Sequence, residues 1–123
     1  MQQWEEMSPA QQMEMWREVN ATGPKHELLE KFVGTWDAEI TGEMGGEAFR
    51  STGTMRTDWY MGGKFIRGQY RGEMLGEPFK GLSLMGYANG DEEYQGFWID
   101  ETATAIISRS SLVRPLSASI RSL

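Results

Sequence analysis

The sequence predicts a mainly β domain: an antiparallel up-and-down meander that closes only part of a barrel, behind one or two short N-terminal helices. Three observations carry this. Turn signals recur at short, fairly even intervals, at Gly45-Gly46, Gly62-Gly63, Gly76-Glu77-Pro78 and Asn89-Gly90. Between them apolar and polar residues alternate, the period of a strand with one buried and one wet face. No long helical run separates them, and parallel strands need crossovers of a dozen or more residues, so neighbouring strands must run antiparallel.

At 123 residues there is room for one core. Aromatic residues make up 11% of the chain, too large a share for disorder. The net charge of −6 argues against a nucleic-acid partner, because phosphate contacts need a surplus of lysine and arginine. With no cysteine, disulfides, thiolate nucleophiles, zinc clusters and iron–sulfur sites are excluded. The opening MQQWEEMSPAQQ carries glutamates where a secretory leader has basic residues and then an apolar run. No apolar stretch has the length that spans a bilayer. The expectation is a cytoplasmic protein with neither nucleic acid nor membrane as partner.

In chain order, Ser8 can cap a helix, Pro9 suits its first position and Gln11 completes a capping box, which predicts a helix over 8–20. Met13, Met15, Trp16 and Val19 fall on one side of it, and Glu14, Arg17 and Glu18 on the other. That stripe either packs on the domain or serves a partner. Thr22-Gly23-Pro24 breaks the chain, and Lys25 to Phe32 reads as a second short helix with Leu28, Leu29 and Phe32 as its apolar stripe. At Trp36 the period becomes that of a strand: Trp36, Ala38 and Ile40 alternate with Asp37, Glu39 and Thr41. Further strands are predicted at 49–60, 64–73, 79–87 and 94–99, and a weaker one near 103–108.

The chain thus divides into a helical segment (1–33), a partial barrel (34–108) and a tail (109–123). The tail, RSSLVRPLSASIRSL, has no acid, glycine or aromatic residue, whereas all 18 acids of the chain lie at or before Glu101. It is expected to be poorly packed, either as a linker or arm or as the product of truncation or a changed reading frame. About six strands leave two open edges, since closure takes roughly eight.

Gly34-Thr35-Trp36 after a short helix resembles the G-x-W start of the lipocalin and calycin group. Together with Met61-Gly62-Gly63-Lys64-Phe65, Pro78-Phe79-Lys80-Gly81, Gly86-Tyr87-Ala88-Asn89 and Trp98-Ile99-Asp100, it resembles a bacterial family catalogued as domain of unknown function fifteen-seventy-nine, over about residues 26–107. The resemblance implies a lipocalin-like barrel and no settled activity. Ala88 stands where that family usually has aspartate, and the several further strands that usually follow the equivalent of Ile107 have no counterpart in 109–123.

Candidates for catalysis are few. His26 is the single histidine and sits at the start of the second helix, where a solvated or packing role is expected. No nucleophile elbow, zinc-binding histidine pair or phosphate loop is present. Gly42 to Gly46 follows a strand without opening a helix, and Asp91-Glu92-Glu93 cannot converge on one calcium ion. Glu43 with Glu47, and Asp58 with Glu73, are conceivable carboxylate pairs that nothing places at a working distance. No catalytic residue, metal ligand or cofactor is therefore named.

The aromatic content of the strands stands out. Alternate residues of a barrel point inward and form either a packed core or a mostly apolar pocket. Trp36, Trp59, Tyr70, Tyr87 and Trp98 are the expected lining of such a pocket, for a small hydrophobic ligand. Arg56 and Arg67, with Asp58 nearby, would orient that ligand if they faced inward. The competing expectation is an interaction module that pairs through its open sheet edge or its N-terminal helix, a route to a homo-oligomer.

Overall fold

The computed structural model describes residues 6–108 and 117–122. The first helix, α1 (Pro9–Val19), starts as its sequence dictates: the Gln11 N–H donates to Ser8 Oγ at 3.2 Å, and the Ser8 N–H donates to Gln11 Oε1 at 2.8 Å. It stops at Asn20, whose side-chain amide donates to the Trp16 carbonyl at 2.9 Å. The expected second helix is tighter than its pattern suggests. Only α2 (Pro24–Glu27) is α-helical, and Leu28–Phe32 winds as a 3-10 turn. Of the expected stripe only Leu29 is buried, while Leu28 and Phe32 stay exposed. The Phe32 carbonyl accepts from Trp36 Nε1 at 2.9 Å, so the turn ends on an indole and passes directly into the first strand.

Seven strands follow: β1 (Gly34–Met44), β2 (Glu47–Tyr60), β3 (Phe65–Met74), β4 (Glu77–Ala88), β5 (Glu93–Asp100), β6 (Ile107–Ser108) and β7 (Ser117–Ser122). They form one open antiparallel sheet in the order β6-β5-β4-β3-β2-β1-β7, so six strands go up and down in sequence and the last returns to the far edge beside β1. The predicted fold class is therefore the observed one: mainly β, a meander behind two short helices.

Two turns depart from the reading above. The β3–β4 turn is the two-residue pair Leu75-Gly76, with φ of 53° and 81°, rather than Gly76-Glu77-Pro78. Pro78 belongs to β4. Between β4 and β5 the positive φ falls on Glu92, at 51°, not on Asn89-Gly90. Asn89 is used differently, as a side-chain donor to the helical segment. Gly45-Gly46 behaves as expected, with φ of 60° and 83°, the mirror-image turn that suits the twist of a tight hairpin.

The tail holds a strand that the sequence reading did not anticipate. Its register sets Ile120 opposite Ala38 and Ala118 opposite Ile40, with Arg121 opposite Asp37. The edge of β1 is thus covered along Trp36–Thr41. The alternation Ser-Ala-Ser-Ile-Arg-Ser was legible, but serine and arginine carry little strand propensity and masked it. The rest of the tail, 109–116 and 123, lies outside the described residues.

Cross-strand register assigns each side chain to a face. Trp36, Met55, Tyr70 and Gly81 stand in one row, and Trp59, Ile66 and Met85 in another, all on the same face. Among the described residues no second sheet or long helix covers that face, yet Tyr70 is 1% exposed and Ser51 0%. Only neighbours on the same face can cover them, so this inner face is concave. Glycines make the bend. Gly53 and Gly72 lie directly opposite each other, and a Cβ on Gly53 would sit 2.3 Å from the Arg71 carbonyl oxygen. The two backbones approach more closely there than side chains would allow.

Candidate functional site

All five predicted ring residues, Trp36, Trp59, Tyr70, Tyr87 and Trp98, share the concave face. They do not form one continuous lining. Tyr70 is the centre of a packed cluster: its ring meets Phe79 at 5.7 Å and Trp98 at 6.4 Å, both edge to face. Trp98 reaches Tyr70 by lying over Gly81 on the intervening strand, where a Cβ would be 2.1 Å from the indole. The indole is held there by its N–H, which donates to Asp100 Oδ2 at 2.6 Å. Below the cluster the Tyr70 and Ser51 hydroxyls bond at 2.7 Å. Ala38 completes this core, with Ile40, Met55 and Met74 packed against it.

Trp59 and Tyr87 lie at the other end, where the helical segment caps the sheet. Trp59 Nε1 donates to Glu30 Oε2 at 3.0 Å. The Tyr94 hydroxyl donates to the Lys25 carbonyl at 2.7 Å, and the Asn89 amide donates to the Val19 and Ala21 carbonyls at 3.1 and 2.9 Å. Lys64 Nζ donates to the Asn20 carbonyl at 3.1 Å. Backbone carbonyls left open at the helix ends are thereby satisfied by side chains of the two hairpin loops.

His26 stands at the centre of this cap, 5% exposed. Its Nδ1 accepts from the Gly23 N–H at 3.1 Å, which leaves the ring proton on Nε2. Its ring meets Tyr87 edge to face at 5.6 Å, and Tyr87 in turn meets Tyr94 at 5.0 Å. The role is packing, as its sequence position suggested. The imidazole is also the shared wall of two hollows. One, of about 260 Å³, is lined by Thr22, Glu27, Glu30, Trp59 and Gly63 besides the histidine. The other, of about 210 Å³, lies against Asn20, Lys64, Phe65, Tyr87, Asn89 and Gln95.

Arg56 and Arg67 do not join the rings. Their register puts them, with Asp58, on the outer face. Arg56 pairs with Asp58 at 3.3 Å, and the Arg67 guanidinium lies 4.6 Å from the centre of the Tyr60 ring. They cannot orient a molecule held on the concave side. Conversely, Lys64, Asn89 and Gln95, which border a hollow, escaped the sequence reading because a loop lysine or amide carries no periodic signal. Among the described residues no group of three or more histidine, aspartate or glutamate side chains could hold a metal ion.

Comparison with family models matches residues 21–110 to the family described as protein of unknown function (DUF1579). The chain belongs to that family. The matched span begins just after α1 and runs through β6, so it holds the six-strand meander and the whole lining of the larger hollow, and all of the smaller hollow's lining except Asn20. No curated protein and no solved structure matches the chain. Among the described residues no helix is long and apolar enough to cross a membrane.

Proposed function

We propose that the chain is a lipocalin-like binder of a small hydrophobic molecule, received at the capped end of the concave face beside Trp59 and Tyr87. The observations that carry this are the register, which gathers Trp36, Trp59, Tyr70, Tyr87 and Trp98 on one face of a bent sheet, and the hollows that border Trp59 and Tyr87 where the helical cap meets it. Packing of Tyr70, Phe79 and Trp98 fills the opposite end. The hollows are smaller than the roughly 300–1,000 Å³ of sites for drug-sized ligands. A single-ring or short-chain compound fits that scale; haem and flavin do not. Trp59, bonded to Glu30, gives the site its reporter. Titrating the tryptophan fluorescence with indole, octanoate, riboflavin and haem tests the reading. Saturable change with indole or octanoate, weakened in Trp59→Ala, is expected, and no saturable change with any of the four refutes it.

A second reading has its own observation. The β5–β6 ladder is two residues long, and Gln95, Gly96, Ile99 and Asp100 have no strand neighbour on that side among the described residues. Such an edge can accept a strand from another chain. Amide hydrogen exchange along β5 tests this, because an added strand protects the edge-facing N–H groups of Gly96 and Asp100 in a concentration-dependent way.

A further inference from the structure

The smaller hollow under the cap is bordered by two side chains whose hydrogen-bond donors the fold does not use up. His26 is the first. It is 5% exposed, and its Nδ1 is spent on the Gly23 N–H at 3.1 Å, so the ring proton sits on Nε2. Among the described residues that Nε2–H has no hydrogen-bond partner. A donor this deeply buried normally has one, because leaving it unpaired costs the full desolvation of the group. The imidazole forms part of the wall of the hollow of about 210 Å³, and Lys64 borders the same space.

Lys64 is the second. It is half-buried, and one of its three ammonium hydrogens goes to the Asn20 carbonyl at 3.1 Å. Among the described residues it forms no ion pair. The amides beside it are committed elsewhere. The Asn89 amide donates to Val19 and Ala21, and the Gln95 amide donates to Asp91 and Glu93 at 3.0 and 3.2 Å. The rest of the wall is largely aromatic, from Phe65 and Tyr87. Phe65 lies over Gly86, where a Cβ would come within 2.5 Å of its ring. An ammonium with hydrogens to give, an uncommitted imidazole N–H and two rings together match an apolar molecule that ends in one negative charge.

We propose that the ligand of the capped end is a small monocarboxylate, single-ring or short-chain, with its carboxylate between Lys64 Nζ and the His26 Nε2–H and its apolar body against Phe65 and Tyr87. This rests on the binding role proposed for the same site and adds the charge of the ligand. A carboxylate fits better than a phosphate ester. One ammonium balances one negative charge, whereas a phosphate group carries nearly two and would leave the remainder uncompensated in a half-buried site of a chain whose net charge is −6.

Calorimetric titration of the full chain at neutral pH with octanoate, 1-octanol and octylamine tests this, since the three share a chain and differ in the charge of the head. Octanoate should bind roughly tenfold or more tighter than 1-octanol, the effect of one charge-assisted hydrogen bond. Octylamine should bind most weakly, although the net charge of −6 favours it at long range. In Lys64→Met the preference for octanoate over 1-octanol should fall to about threefold or less. Both ligands are measured on the same variant, so any loosening of the cap cancels in that ratio. A second readout needs no substitution. The chain has one histidine, and in nitrogen-15 spectra saturating octanoate should move its Nε2 proton downfield and slow its exchange with water. Equal affinity for octanoate and 1-octanol overturns the proposal and leaves the binding site standing, whereas no binding of any of the three removes the site as well. A preference that survives Lys64→Met, or a His26 Nε2 signal that octanoate does not move, also overturns it.

Discussion

The hydroxyl pair beneath the aromatic cluster offers a sharp test of how the concave face is held. Tyr70 and Ser51 are the two least exposed polar side chains of that face, at 1% and 0%, and they satisfy one another at 2.7 Å. Tyr70→Phe leaves the ring, and its contacts with Phe79 and Trp98, in place but strands the Ser51 hydroxyl. A buried polar group without a partner costs about 1–3 kcal/mol. Ser51→Ala strands the phenol instead, at a similar cost, because Tyr70 is 1% exposed and its hydroxyl loses the partner it has at 2.7 Å. Removing both groups leaves nothing stranded. The double variant should therefore be less destabilised than the sum of the singles by about 1–2 kcal/mol. Urea unfolding of the four proteins, with slopes that agree within error, measures this directly. Strict additivity, within about 0.5 kcal/mol, would show that the two hydroxyls do not depend on each other and that the face is not closed as described.

Other consequences follow from local geometry. Leu75 sits at φ 53° ahead of Gly76, where asparagine is better tolerated, so Leu75→Asn should stabilise the chain by about 0.5–1 kcal/mol in urea unfolding. Gly81→Ala puts a methyl group where Trp98 lies, and should cost about 1–3 kcal/mol and reduce the near-ultraviolet circular dichroism as the indole is displaced. Asn89→Ala removes both bonds to the end of α1, and should speed amide exchange through α1 while exchange in β2 and β3 stays unchanged. The exposed Arg50–Glu39 pair, at 2.6 Å, is the contrasting case: Glu39→Gln should change stability by less than about 1 kcal/mol, with the difference vanishing in high salt.

Much of the fold was legible because its signals are local. The capping box at Ser8 and Gln11, the alternation from Trp36 to Thr41, and Gly45-Gly46 each depend on residues a few positions apart, and each formed as read. Leu75-Gly76 was misplaced by one residue, since Pro78 drew the turn toward itself although proline is tolerated near a strand end. The return of β7 to β1 is a contact between residues some eighty positions apart, which no periodic pattern announces. For the site, alternation was enough to put five rings on one face. It was not enough to say which rings would pack and which would border space. That depended on Gly81 admitting Trp98 and on the cap ending over Trp59 and Tyr87, both products of tertiary contact. Arg56 and Arg67 stood among aromatics in the sequence, but a side-chain period of two carries them to the opposite face.

The most direct test of the binding site uses the tryptophan indole N–H signals of the nitrogen-15-labelled chain, followed while indole or octanoate is added. The account predicts that the Trp59 signal moves saturably, that Trp98, packed on Tyr70, moves little, and that Trp16 on the exposed arm does not move. Signals that all stay fixed at saturating ligand, or a shift confined to Trp16, would contradict it.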